Sequence, residues 1–539
     1  DAGGPLRAQV TGVNMTATNG TVSVQSDRTG TSRAAAQGMT VGTTAGVGAN
    51  TARVDTTTSV SALFGGSGTY NLGGLVVEAA SAPSGNNLLA EAVARASGGG
   101  ILIGVQSTDA QLFNSSTVRA ALTSGASIAV RGTLSVNASS DSRQRANSVG
   151  VAGGLVGVGA TDATVSSTAN VKGEIEAGVT VTNAGAMNIS AVATDANDLD
   201  IVAGAYGLAA GAAASGRTVS GGTVFAGAKD GTSVSNRANI TVQGDLTLTA
   251  IYTSRPDGQI STSSFGAIAG AGASMRHEIN GTVEGAFGDY AKITAGRIDA
   301  NLTSRLDGGG SVDGKTGGIA SGASANINTT VSFDTKMRFG ANSDVDTTGY
   351  QVTAANDSIT RVSGDVRAIV RNILNYSDKV KLVTGGAISG AGAYGRFDAN
   401  TLDARIIVDA GAQIDTHGML EFEASGRGNT YLQSYSETFG AATVAIGTAR
   451  TYVTPTHEIT FATGSQVRSA GNMFISAGVD RDLNLPDQNF ESRVDNFAGS
   501  AIPISDLKTV ALYEATNLVH IQSGARLEGD SNIDINADG

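Results

Sequence analysis

The chain has 539 residues, of which 74 are Gly, 6 are Pro and none is Cys or Trp, and 35 Lys and Arg against 47 Asp and Glu leave a net charge of −12. Absence of Cys excludes a disulfide framework, thiolate metal sites, iron–sulfur clusters and a cysteine nucleophile, while an acidic balance with no basic run argues against nucleic acid or an anionic membrane as main partner. No stretch approaches about 18 consecutive apolar residues, so no helical transmembrane segment is expected.

The first residues, DAGGPLRAQV, lack the charged start and apolar core of a signal peptide and read as the middle of something longer. A tail, NMTATNGTVSVQS (14–26), precedes the first full copy of a repeat. Each copy opens on a Gly/Ala-rich run: GTTAGVGA (42–49), GGGILIGV (98–105), GGLVGVGA (153–160), GAYGLAAG (204–211), GAIAGAGA (266–273), GGIASGAS (317–324), GGAISGAG (385–392), GAATVAIG (440–447) and a degenerate GSAIPISD (499–506). These nine starts recur at a long and fairly regular spacing, the mark of a repeat architecture. Disorder does not fit, because 40% of residues are hydrophobic, they are regularly placed, and Pro is scarce.

A second signature follows each run, two short alternating stretches around Gly or Asn. Examples are SIAVRGTLSVNA (127–138), NITVQGDLTLTA (239–250), QIDTHGMLEFEA (413–424), QVRSAGNMFISA (466–477) and RLEGDSNIDINA (526–537). The distance from opening Gly to closing Ala stays near 40, as in 98 to 138 and 385 to 424. Length variation is therefore expected after that Ala, where loops would sit. Within LTLTA (246–250) and MLEFEA (419–424) apolar and polar residues alternate, the mark of strands with one buried face. The Gly/Ala runs would let two sheets approach or the chain bend. No phosphate-loop pattern and no following amphipathic helix supports a nucleotide site.

These observations predict an all-β fold, one continuous parallel β-solenoid over 1–539 that is an excerpt of a longer array of about nine repeats of roughly 55 residues. One repeat could make two or three small coils or one large flattened coil; insertions confined to one place favour one or two large coils. One segment departs from period two. Val366, Ile369, Val370, Ile373 and Leu374 follow i, i+3, i+4, i+7, i+8 spacing, with Arg367, Arg371 and Asn375 opposite and Asp365 placed as an N-cap. The spacing predicts a short helix near 365–376 lying against the solenoid, or else another strand.

Candidate chemistry is sparse. His277, His417, His457 and His520 fall in different copies, with no HExxH or His-x-His spacing. Paired carboxylates that would suit a glycosidase or lyase are Asp398 with Asp403, Glu421 with Glu423, and Asp195 with Asp198 and Asp200. Glu421 and Glu423 share a strand face and could meet a ligand together; alternatively, outward positions of an acidic rod are simply acidic. In LDGGGSVDGKTGG (306–318), Asp307 and Asp313 stand among glycines that could offer oxygens to calcium, or the segment is a plain surface loop. It matches neither an EF-hand nor the nonapeptide of calcium-binding β-rolls. No catalytic or cofactor-binding residue is assigned, and calcium is the sole cofactor considered.

The tandem form, with copies such as GGLVGVGATDATVSSTANVKGEIEAGVTVTNAGAMNISA (153–191), resembles the repeat regions of very large Gram-negative filamentous adhesins. These are the filamentous-haemagglutinin-like proteins exported by two-partner secretion, and especially the leukotoxin-family filamentous adhesins. The likeness spans nearly the whole chain, and its motifs specify an architecture, not a chemistry. It implies secretion across the outer membrane and a stiff, Cys-free rod on the cell surface or in the extracellular matrix. The secretion domain of such proteins is not among these residues. The expected role is structural and adhesive, not enzymatic: attachment to a host-cell, matrix or glycan surface, cell–cell or biofilm cohesion, and continuation or self-association along the solenoid axis, assembling into filaments. A β-helical polysaccharide lyase or glycoside hydrolase is the alternative; aromatics at 5% with no Trp speak against sugar stacking.

Overall fold

The computed structural model describes residues 5–538 apart from 84, 86, 354–357 and 480–487. The described elements are β-strands, with no helix among them. Thirty strands join into one sheet through parallel pairings, wound as a solenoid, and Tyr350–Thr353 and Ser358–Arg361 form a separate antiparallel hairpin.

One repeat makes one coil. In the copy starting near 153 the chain runs along Val156–Ile175, turns at Gly178 (φ 79°), crosses on the short strand Thr180–Ala184 and runs back along Ala186–Tyr206. At about 3.3 Å per residue each long strand spans roughly 65–70 Å, so the coil is wide and flat. The next coil pairs with it in unbroken register, from Val156 opposite Ala209 to Ile175 opposite Ala228. One column of partners, Ala45, Ile103, Val156, Ala209, Ile268, Ala320, Ile388, Ala442 and Ile502, marks nine successive coils.

The two sequence signatures now have structural meanings. The alternating signature is the short strand, a turn, and the start of the second long strand. Its closing Ala faces inward, and Ala79, Ala138, Ala191 and Ala250 stack in one ladder that continues through Leu302 and Val370 to Ala424, Ala477 and Ala537. The Gly/Ala run is the tight corner where the second long strand folds directly into the next coil. There Gly207, Gly266, Gly318, Gly386 and Gly440 stack, and a Cβ on each would overlap the carbonyl oxygen of the glycine one coil earlier. At these five corners a side chain would collide with the coil before it, so glycine lets the two long sheets meet at an acute edge.

Between the sheets, inward side chains pack at alternate positions. Ala191, Ala193, Leu199 and Ile201 are fully buried, whereas the intervening Val192, Thr194, Asp198 and Asp200 are half-exposed. Near the short-strand side the inward ladder becomes aromatic: Phe339 stacks on Phe422 with centroids 5.4 Å apart, and Phe422 on Phe461 at 6.2 Å.

Two expectations are corrected. The segment 365–376 is not a helix. It opens the strand Val366–Gly385, which pairs in register with Arg297–Gly317 and Leu420–Phe461. Val366, Ala368, Val370, Asn372 and Leu374 face inward with period two, and β-branched Val and Ile suit the extended chain. Asp365 caps a turn of a different kind, accepting the amide of Met419 from the next coil at 2.8 Å. Length variation also does not fall only after the closing Ala. Residues 229–238 stand between Ala209–Ala228 and Asn239–Val242, and the hairpin is inserted between Asp344–Thr347 and Val366–Gly385. Both insertions adjoin the short strand, since the glycine corner has no room to admit one.

Candidate functional site

Alternation decides which candidate residues can meet. In Ala186–Tyr206, Asp195 faces inward with no exposed surface while Asp198 and Asp200 face outward toward Arg145, at 3.3 and 3.2 Å, so the trio is split between two faces. Asp398 and Asp403 lie on either side of an irregularity in register at 400–401. Asp398 pairs with Arg396 at 2.6 Å and Asp403 lies 3.9 Å from Arg405, whose other partner is Asp334 at 2.5 Å.

Glu421 and Glu423 do share the outer face of Leu420–Phe461, but they do not form a free acid pair. Glu423 is 2% exposed, accepts two bonds from the Arg371 guanidinium at 2.8 and 2.9 Å, and takes a third from the Ser425 hydroxyl at 2.7 Å. Glu421 lies 3.3 Å from Arg367. Each ion pair joins one coil to the next.

Asp307 and Asp313 sit on a strand, not in a loop, because Arg297–Gly317 continues through the glycines. Six residues apart along one strand, they are separated by roughly 20 Å. Asp307 accepts both Nε and Nη2 of Arg305, at 2.6 and 3.0 Å, and Nδ2 of Asn375 at 3.2 Å. Among the described residues no group of three or more His, Cys, Asp or Glu is placed to hold a metal ion.

The histidines are dispersed. His417 and His520 are exposed, whereas His277 and His457 are buried. His277 is wedged between Thr218 and Met275, and burial pushes its pKa down to about 3. It belongs to an interior polar seam that the sequence reading missed. Tyr252 donates to Asp195, Asn197 donates to Ser167 and Ser220 at 3.0 and 2.7 Å, and Thr329 donates to Asp378 at 2.7 Å. Burial raises Asp195 and Asp378 each to about 7. The missed signal was parity: Asp195 and Asn197 share the phase of Leu199 and Ile201.

Two open depressions lie where the strands run through glycines. One, about 540 Å³, lies over Gly308, Gly309 and Gly310 and is edged by Arg255, Asp257, Asp307 and Lys379. The other, about 400 Å³, lies over Gly221 and is edged by hydroxyl and amide side chains including Thr168, Asn170, Thr223, Asn280 and Thr282. Neither is lined by an aromatic side chain, and the carboxylates of the first are spread between Asp257 and the Arg305-bound Asp307. No described helix is long and apolar enough to cross a membrane. Comparison with known proteins finds no matching family model, no matching curated protein and no matching solved structure.

Proposed function

We propose that this chain is a section of the shaft of a large secreted bacterial surface or matrix protein, serving attachment and cohesion. The observation that carries this reading is the stacking of one wide coil per repeat, with most candidate acids held in ion pairs, along a strand or from coil to coil, rather than gathered in a cleft. Backbone bonding at every rung makes such a stack stiff along its axis. A parallel coil offers its strand edges to the next, so such a stack extends by the addition of further coils or a second array. The neutral depression over Gly221 offers hydroxyl and amide groups suited to the hydroxyls of a surface glycan.

Purified chain immobilised on beads tests the reading. Retention of bacterial cells or extracellular polysaccharide, without shortening of that polysaccharide, is the expected result. Depolymerisation of a polysaccharide that is lost in Asp257→Asn would overturn it in favour of a lyase or hydrolase.

A further inference from the structure

The tight corner carries a feature that the shaft does not require. Apolar side chains stand exposed along most of this edge: Ile101 is 73% exposed, Leu208 60%, Ile268 66%, Ile319 68%, Ile388 66% and Ile502 64%. The stretches 97–108, 148–161, 202–215, 262–274 and 383–395 that build this edge contain no charged residue, although charged residues make up 15% of the chain. A continuous exposed apolar strip is unusual on a soluble monomer and marks a contact surface.

The strip is also patterned. Across four consecutive coils the bulky residue alternates between the apex of the corner and the first position of the following strand. Leu208 precedes Ala209, Ala267 precedes Ile268, Ile319 precedes Ala320, and Ala387 precedes Ile388. Each knob therefore has a small residue beside it on the neighbouring rung, and knobs in one column recur every second rung, about 9.6 Å apart. A surface that fills such holes must be straight, apolar and of the same two-rung period. The corner edge of a second copy has all three properties.

We propose that two copies of this chain associate side by side, corner edge against corner edge, as a two-fold pair with interlocking knobs. The contact brings together uncharged surfaces, so the net charge of −12 on each copy is kept away from it. Nine rungs at about 4.8 Å give a strip about 40 Å long. With a width of roughly 15–20 Å it offers about 600–800 Å² per copy, close to the roughly 800 Å² that each partner contributes to a standard interface. Lateral pairing is independent of the shaft reading, which stands or falls on stacking within one chain.

Sedimentation velocity at micromolar concentration, on the chain and on the triple variant Leu208→Lys, Ile319→Lys, Ile388→Lys, tests the proposal. The chain is expected to sediment as a dimer and the variant as a monomer that keeps the chain's far-ultraviolet circular dichroism spectrum, since the replaced side chains are exposed on the single copy and are not needed for its fold. Because the chain has no native Cys, Ala267→Cys at the central corner should yield a bis-maleimide-linked dimer, and Thr463→Cys at the opposite edge should not. A monomeric chain, a dimer that persists in the triple variant, or equal cross-linking at both positions overturns the proposal. Flotation of monomeric chain with phosphatidylcholine vesicles would overturn it as well, assigning the strip to lipid.

Discussion

Tyr252 donates its phenolic hydrogen to Oδ2 of Asp195 across one rung at 3.0 Å, and neither side chain has any exposed surface. Burial raises this carboxyl from 3.8 to about 7, and Asp378 shifts the same way. The native state thus holds these protons more tightly than the unfolded chain does. Their contribution to stability is complete below about pH 4 and is lost as pH rises through 7. His277 runs the other way: its folded value of about 3 lies below 6.5, so its contribution is present above pH 6.5 and lost as pH falls toward 3. Asp195→Asn, which keeps an acceptor for Tyr252 without a titrating proton, should raise the melting temperature at pH 8 and change it little at pH 4.5. A shift of this size corresponds to at most about 4 kcal/mol. Equal destabilisation at both pH values would show that burial of the charge is not what the site resists.

The same tyrosine explains two inward glycines. A Cβ at Gly222 or Gly281 would run into the Tyr252 ring from two neighbouring coils of the facing sheet. Gly222→Ala should cost about 1–3 kcal/mol in chemical denaturation. In a Tyr252→Val background, where the ring is gone, the same substitution should be close to neutral. Equal costs in both backgrounds would place the clash elsewhere.

Arg371 supplies the charge that lets Glu423 be buried. Arg371→Met should destabilise the fold by about 3–5 kcal/mol at neutral pH, because an unpaired buried carboxylate remains. Arg371→Met combined with Glu423→Gln should recover most of that loss in the same denaturation assay. If Glu423 instead served catalysis or ligand binding, the single variant would melt normally.

Calcium has no assembled site at Asp307 and Asp313, because Arg305 and Asn375 already occupy Asp307 and the second carboxylate lies far along the strand. Chelation is expected to leave the melting temperature unchanged. A drop of several degrees that added calcium reverses would contradict this.

Much of the architecture was legible in the sequence because a solenoid writes its period into the chain. The Gly/Ala runs marked the corners, five of which have no room for a Cβ, and the recurrent closing Ala marked one inward ladder. The segment at 366–374 was ambiguous for a definite reason. Val366, Val370 and Leu374 are four apart and satisfy both periods, while Ile369, which argued for helix, lies on the outer strand face yet is only 3% exposed. The partners of Glu421 and Glu423 were not legible. Arg367 and Arg371 stand a full repeat earlier in the chain, and bringing each pair together requires the register between coils.

One coil per repeat places residues hundreds of positions apart within a few rungs of one another. Outward positions Asp109, Asp162, Ser215, Ser274, Asn326, Tyr394, Thr448 and Lys508 form one column of register partners. Spin labels on Asp109→Cys and Lys508→Cys, seven rungs apart, should give a narrow distance distribution centred at about 34 Å by double electron–electron resonance. A broad distribution, or one centred at twice that separation or more, as several coils per repeat or separate globules would produce, would contradict it.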